Sequence, residues 1–327
     1  MGIEKKYYIK YPLDYKLLHN VLETTGKKRL NIFIDLLSIC RGLYKKEVIF
    51  LEVNHYLVEK KISGLLIQEL KEFLNNLYRH YKKYDIFIIL FFDDGICQQN
   101  RMLDSQYKSG RSIDNLIFDD NANFTDLFRK IRKYYYHQIV ELFNKEDLCS
   151  VQYIPQYECD IIPYYCGKYN IFDSSDSDLL SIILSHDKDL LQTLEFPNFL
   201  QLISSFKRDE ETGKYKVYNR AFDRKNAISY IYPRFIEGIL DARYISLLLA
   251  ISGDKSDNIP NAIPGIGISK AIKLLTENNI PHSIDEIKNK LDIMPSVLKN
   301  NIDAVIKNYK LVSFSEQIKR LPRDFLV

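Results

Sequence analysis

The chain has 327 residues, 46% of them hydrophobic and 27% charged, the balance of a globular protein long enough for one large domain or two smaller ones. A net charge of +3 is too small to require a polyanionic partner, yet it leaves room for a basic surface beside an acidic site. The longest apolar run, Ile86–Phe92, falls far short of a membrane span, no signal-peptide core opens the chain, and five scattered cysteines form no disulfide framework.

Those cysteines (Cys40, Cys97, Cys149, Cys159, Cys166) read as reduced, packed thiols, and together with the missing membrane signals they predict a cytoplasmic protein. Abundant Lys, Ile, Asn and Tyr fit an AT-rich, phage-encoded origin. Residues 1–28 are basic and Tyr-rich without a clear period, and read as an amphipathic extension on the domain edge. Leu30–Ile34 is a short apolar run that suits a buried parallel strand ending at Asp35. By itself an Asp in that place is ordinarily a helix cap. Residues 47–84 carry Leu, Phe and Tyr at helical spacing, and Asp85–Phe92 is the clearest strand, closing at Asp93. The three make a β-α-β unit with a right-handed crossover. Asp35 and Asp93 are thereby expected at the carboxyl ends of neighbouring parallel strands, where open α/β sheets place their ligands.

Beyond Asp93, the run 101–111 combines Arg101, Tyr107, Lys108 and Arg111, which is either a solvated basic loop or a phosphate clamp with a ring for base stacking. Residues 112–147 alternate acidic loop and basic-aromatic helix. A third short strand over 151–154 precedes Glu158 and Asp160, and Pro163 follows where a helix tolerates it only in the first turn. The apolar run Leu179–Leu184 predicts a fourth strand leading to Asp187 and Asp189, with His186 between them read as a bystander. Further strands are expected over Phe199–Ile203 and Tyr215–Tyr218, and from about 241 the chain turns helical. Ser283 with Glu286 resembles a capping box.

The densest stretch is 251–275. Asp254 and Asp257 stand three apart, a spacing that lets both face one hard cation. Gly265 and Gly267 then open a helix at Ser269 that carries Lys270 and Lys273. Two glycines at a helix entrance admit a phosphate to the free N–H groups, although a lone Gly-x-Gly is more often just a tight turn. The collected acids come from well-separated segments, and clustering them would be costly without cations. Oxygen-only ligands select Mg²⁺ or Mn²⁺.

The whole string GDKSDNIPNAIPGIGISKA resembles the helix-three-turn-helix element of the 5′-nuclease or flap endonuclease family, with one extra residue at Asn261-Ala262-Ile263. Tyr107, Lys108 and Arg111 match the family's YKxxR sequence, while its upstream Arg falls on Asn100, next to Arg101. Glu158 and Asp160 match its ExDD element, whose last Asp is Ile161 here, and Asp187 and Asp189 match its DxDLLQ element. The likeness runs from about Leu30 to Leu275.

The resemblance implies an α/β fold with a mostly parallel central sheet flanked by helices (PIN-like or resolvase-like), a helical arch and a C-terminal helix-hairpin-helix subdomain. It divides the chain into a nuclease domain over 1–240, arch 94–147 included, and a duplex-binding region over 241–327. It implies a divalent-metal 5′-3′ exonuclease or flap endonuclease acting on branched or 5′-flap duplex DNA, RNA–DNA hybrid included, as a monomer in replication or repair. Two Mg²⁺ or Mn²⁺ ions are expected, one served by Asp35, Asp93, Glu158 and Asp160 and one by Asp187, Asp189, Asp254 and Asp257. Lys108 and Arg111 would neutralise the phosphate, Tyr107 would position the terminal base, and Arg101, Gly265, Gly267, Ser269, Lys270 and Lys273 would grip the duplex beside a K⁺ held by hairpin carbonyls. Two rivals stay open: a catalytically weakened DNA-binding protein of the same fold, suggested by Ile161, and a PIN-type RNase.

Overall fold

A computed structural model describes residues 15–36, 55–92, 98–108, 138, 141, 149–152, 157–174, 176–208, 215–235 and 240–321. A parallel strand covered on both faces is expected to be apolar at nearly every position, and the centre of the sheet is so apart from the buried Asn31 and Ser181. In β1 (Arg29–Asp35) every residue after Arg29 is buried. Leu30, Ile32 and Ile34 point to one layer and Phe33 to the other, as the two-residue period requires. The same alternation holds in β2 (Asp85–Phe91) and β4 (Leu179–Leu184), where Ile88, Leu90, Ile182 and Leu184 face one side and Ile89, Phe91 and Ile183 the other.

The first layer consists of α1 (Tyr15–Thr25), which buries Leu18 and Leu22, and the long α2 (His55–Tyr81), which buries Leu70, Leu74 and Leu77. Tyr15–Thr25, within the stretch expected as an extension, is thus a core helix. The second layer is built by α4 (Ile162–Tyr169) and the C-terminal helices, including α5 (Ile245–Ser252), α6 (Ile268–Glu277) and α7 (Ile302–Val312). Helix α5 is apolar almost all round and accordingly central.

Six strands run in the order β3-β2-β1-β4-β5-β6, with β3 (Ser150–Gln152), β5 (Phe199–Arg208) and β6 (Tyr215–Phe222) completing the sheet. All pairings are parallel except β5 with β6. From β1 the chain builds outward through β2 and β3, then returns to lay β4 on the other side of β1. That reversal makes the carboxyl ends of β1 and β4 a topological switch point. Of the expected arch, only residues 98–108, 138 and 141 fall among those described, with α3 (Gln98–Leu103) at its base.

Local rules account for details the pattern left open. Pro163 sits in the first turn of α4, where no intrahelical donor is lost. Ser283 caps its helix by accepting from the Glu286 N–H, but the Glu286 carboxylate pairs with Lys290 at 2.8 Å instead of reaching back to complete a capping box. Cys159 and Cys166 are buried free thiols, and burial lifts the Cys149 thiol to about 12. Among the described residues, no helix is long and apolar enough to cross a membrane.

One buried side chain joins the C-terminal helices to the loop that follows α5. Asn308, 4% exposed, donates from Nδ2 to the Ala250 carbonyl at 3.0 Å and the Pro260 carbonyl at 2.8 Å. Asn308→Ala removes both bonds and strands two carbonyls, so it should lower unfolding free energy by about 2 kcal/mol. Urea denaturation checks this, and a loss below about 0.5 kcal/mol would mean that the clamp is dispensable.

Candidate metal centre

Parity places Asp35 on the same sheet face as Phe33, toward the C-terminal helices, and register places it beside Ser185 at the switch point. Ser185 donates from Oγ to Asp35 Oδ2 at 2.7 Å and accepts from the Asp187 N–H at 3.0 Å. Asp187 in turn accepts from the Asp189 N–H at 2.9 Å, which folds the chain into a 3-10 turn over Asp189–Glu195. Three acids are thereby strung along one hydrogen-bonded path across the ends of β1 and β4.

The second contribution comes from the loop after α5. Gly253 is required there: its φ is +71°, and a Cβ would lie 2.6 Å from the Ile259 carbonyl oxygen. Asp254 and Ile259 exchange backbone hydrogen bonds of 2.9 and 2.8 Å, closing a small loop with Asn258 in the left-handed region at φ 59°. Closure turns Asp254 and Asp257 inward, both 4% exposed, against Asp189. One carboxylate oxygen from each of these three residues lies within 4.8 Å of the others.

Glu158 enters from the start of a 3-10 turn over Cys159–Ile161. Lys108 Nζ lies 2.7 Å from Glu158 Oε2 and 3.7 Å from Asp257 Oδ2, and the Tyr107 hydroxyl donates to the same Glu158 oxygen at 3.0 Å. The Lys108 N–H also donates to the Asp257 carbonyl at 2.8 Å, with Lys108 itself at φ 51°. On the opposite side, Lys188 Nζ lies 2.7 Å from Asp254 Oδ2 and 2.8 Å from Oδ1.

The electrostatics follow from these contacts. Burial, reinforced by the charges of Asp187, Asp257 and Asp254, holds the Asp189 carboxyl well above the usual carboxylate range. Burial pushes Asp254 the same way, but the bonds from Lys188 and Ser256 prevail and hold it below that range. Burial and the neighbouring Glu158 charge raise the Tyr107 phenol well above its ordinary value. Asp189 Oδ1 is shielded from solvent and has no hydrogen-bond partner among the described residues. An all-carboxylate donor set that includes a buried, orphaned oxygen fits a hard divalent cation, and Asp189, Asp254 and Asp257 are the residues placed to hold it.

Several sequence expectations are refined by this geometry. Tyr107 is 2% exposed and tucked under Lys108, 5.2 Å from its ring centroid to Nζ, so it offers no face for a terminal base. Lys108 is 4% exposed and neutralises carboxylates rather than standing open to a phosphate. Ile161, at the position of the pattern's second Asp, is 3% exposed in the hydrophobic core. Asp160 is half-buried in the same 3-10 turn. Asp93 and Arg111 lie outside the described residues, and Arg101 is exposed on α3. Gly265, Gly267, Ser269, Lys270 and Lys273 are all exposed around the entrance of α6. Two hairpin carbonyls expected for K⁺ already accept from the chain itself: Lys270 Nζ donates to Gly265 O at 3.1 Å and Asn261 Nδ2 to Ile266 O at 2.7 Å. Sequence reasoning missed Ser185, Lys188 and Ser256. Only Lys188 left a signal, as a cation between two candidate ligands.

No protein-family model and no curated protein matches the chain. Solved structures do. A T5 protein co-crystallised with metal ions is 15% identical, with 88% of this chain and 90% of that one covered at a TM-score of 0.58. T5 5′-exonuclease with bound zinc is 16% identical over 88% and 90%, at 0.56. The bacteriophage T5 flap endonuclease, in a pseudo-enzyme-product complex with DNA and metal ions, is 15% identical over 88% and 89%, also at 0.56. This chain has the fold of those 5′-nucleases.

The Lys108 ion pairs are buried, with the side chains of Lys108, Glu158 and Asp257 only 5%, 7% and 6% exposed. Removing one partner from such a group leaves uncompensated charge, so Lys108→Met should lower stability in EDTA by about 3 kcal/mol. Chemical unfolding measures it, and stability within about 0.5 kcal/mol of the parent would refute the assigned pairing.

Proposed function

We propose that the chain is a divalent-metal-dependent 5′-nuclease of the flap endonuclease family, hydrolysing phosphodiesters at 5′ ends or flaps of branched DNA, with Mg²⁺ or Mn²⁺ as its metal. The observation that carries this reading is the convergence of Asp189, Asp254 and Asp257, from segments more than sixty residues apart, each with a carboxylate oxygen within 4.8 Å of the others. The T5 fold likeness supports it independently, since the T5 structures are of a 5′-exonuclease and a flap endonuclease and contain metal ions.

A divalent cation bound there would supply an activated water and Lewis-acid stabilisation of the departing oxygen. The chain's own residues do the rest. Asp187 fixes the Asp189 backbone, and Ser185 fixes Asp187 while bonding Asp35, so the two strand ends present their carboxylates in one register. Lys108 and Tyr107 hold Glu158 and Asp257 against one another. At the other end, α6 begins at Gly267 with no side-chain cap, leaving its first N–H groups for a duplex phosphate. Lys270 and Lys273 stand exposed beside them.

The decisive experiment is product mapping on matched single-strand, nicked, 5′-flap and RNA-primed duplexes with Mg²⁺, Mn²⁺ or EDTA. Flap or 5′-end cleavage that needs the metal is expected, whereas RNA cleavage without regard to branching would favour the PIN-type RNase. Asp189→Asn should reduce Mg²⁺-dependent cleavage at least a hundredfold while duplex binding persists, and near-parental turnover would remove the metal assignment. The hairpin is tested separately. A Cβ at Gly267 would meet nothing within 4 Å and its φ is −85°, so Gly267→Val should fold normally. It should nevertheless weaken duplex binding several-fold in a gel-shift titration, because the added side chain fills the space a phosphate needs.

A further inference from the structure

Among the described residues, two ammonium groups contact the nest, and they differ in kind. Lys108 is enclosed: it is 4% exposed, and its backbone N–H is bonded to the Asp257 carbonyl. Lys188 is not. Its side chain is 31% exposed, and it caps the 3-10 turn that begins with Asp189, so its four-carbon stem can carry the charge into solvent without moving the turn.

What Lys188 holds is specific. Asp254 Oδ1 accepts from the Ser256 N–H at 2.9 Å, the Ser256 hydroxyl at 2.6 Å and Lys188 Nζ at 2.8 Å, and is therefore saturated. Asp254 Oδ2 has Lys188, at 2.7 Å, as its partner. Asp189 Oδ1 has none among the described residues. The nest is thus asymmetric: one acid keeps an unpartnered oxygen, and another is occupied by an internal cation.

We infer that Lys188 is a resident counter-ion of the acid nest, which a divalent cation must displace from Asp254 Oδ2 in order to bind. The inference rests on the reading of the nest as a divalent-cation site and adds a device to it. Without metal, Lys188 offsets the repulsion among Asp189, Asp254 and Asp257. When a cation arrives, the ammonium swings outward and leaves Asp254 as a ligand. Lys188 therefore sets the metal affinity, because every binding event includes breaking its ion pair.

The test uses the full chain without DNA, titrated with Mn²⁺ by calorimetry, with melting followed in EDTA and in Mn²⁺. Lys188→Gln should bind Mn²⁺ roughly three- to tenfold more tightly, the scale of one screened charge removed at this distance. Its metal-free melting temperature should fall, and its stabilisation by Mn²⁺ should grow. Lys188→Arg, which keeps the charge, should bind within about twofold of the parent. If Lys188→Gln is unfolded in EDTA but folds when Mn²⁺ is added, that too supports a replaceable counter-ion. Unchanged or weaker Mn²⁺ binding by a folded Lys188→Gln overturns the inference, as does a variant that stays unfolded with and without metal. Failure of the parent chain to bind Mn²⁺ at all would instead sink the metal-site reading beneath it.

Discussion

Like charge packed into a small, dry volume is the constraint on which this structure turns. Asp189, Asp254 and Asp257 are brought within a few ångströms of each other at the inner edge of the core. Carboxylates so placed repel one another strongly and cannot all be solvated. The surrounding structure is arranged to hold them there regardless: hydrogen-bonded turns fix Asp189 and Asp254 from behind, and lysines stand on both flanks. A fold under selection only for stability would replace such a group with apolar residues of similar volume. Its persistence, beside a sheet whose centre is buried and largely apolar, is the physical reason for looking to cation chemistry.

The loop that supplies two of these acids also determines where α6 starts. Gly253 opens it, the backbone exchange between Asp254 and Ile259 closes it, and Asn308 ties its far side to α5. The extra residue at Asn261-Ala262-Ile263 is absorbed by burying Ala262 and Ile263, while the Asn261 side chain reaches over to the Ile266 carbonyl. From there the chain enters the turn at Gly265, whose φ of 74° favours glycine. Only residues 260–264 separate the loop closed by Asp254 and Ile259 from the turn at Gly265, so the acid pair and the entrance of α6 share a single support.

Much of this was legible in the sequence because the signals were periodic or dense. Leu30–Ile34, apart from Asn31, and Ile86–Phe92 are apolar at both parities, as a doubly covered strand requires, and Leu179–Leu184 matched its strand residue for residue. Asp254 and Asp257 were found because a closely spaced pair before a glycine turn has few other uses. What remained hidden depended on direction rather than identity. Tyr107 and Lys108 advertise an aromatic and a charge, but nothing in one dimension says that they face inward to Glu158. Asn308 looks like any polar helix residue until α7 is laid against α5. Within residues 1–28 the described α1, Tyr15–Thr25, commits few positions to the core, Leu18 and Leu22 foremost, and so leaves little period to read.

Ile161 shows how a departure from the family pattern is to be weighed. An aspartate there would add another negative charge within three residues of Glu158, on a turn whose neighbours Cys159 and Ile162 are wholly buried. Isoleucine at this position faces the core at 3% exposure and contributes packing where a carboxylate would need a partner of its own. The exchange lowers the repulsion on the Glu158 side without touching Asp189, Asp254 or Asp257. It therefore bears on the Glu158 side of the cluster, and leaves intact the three carboxylates whose proximity defines the candidate cation site.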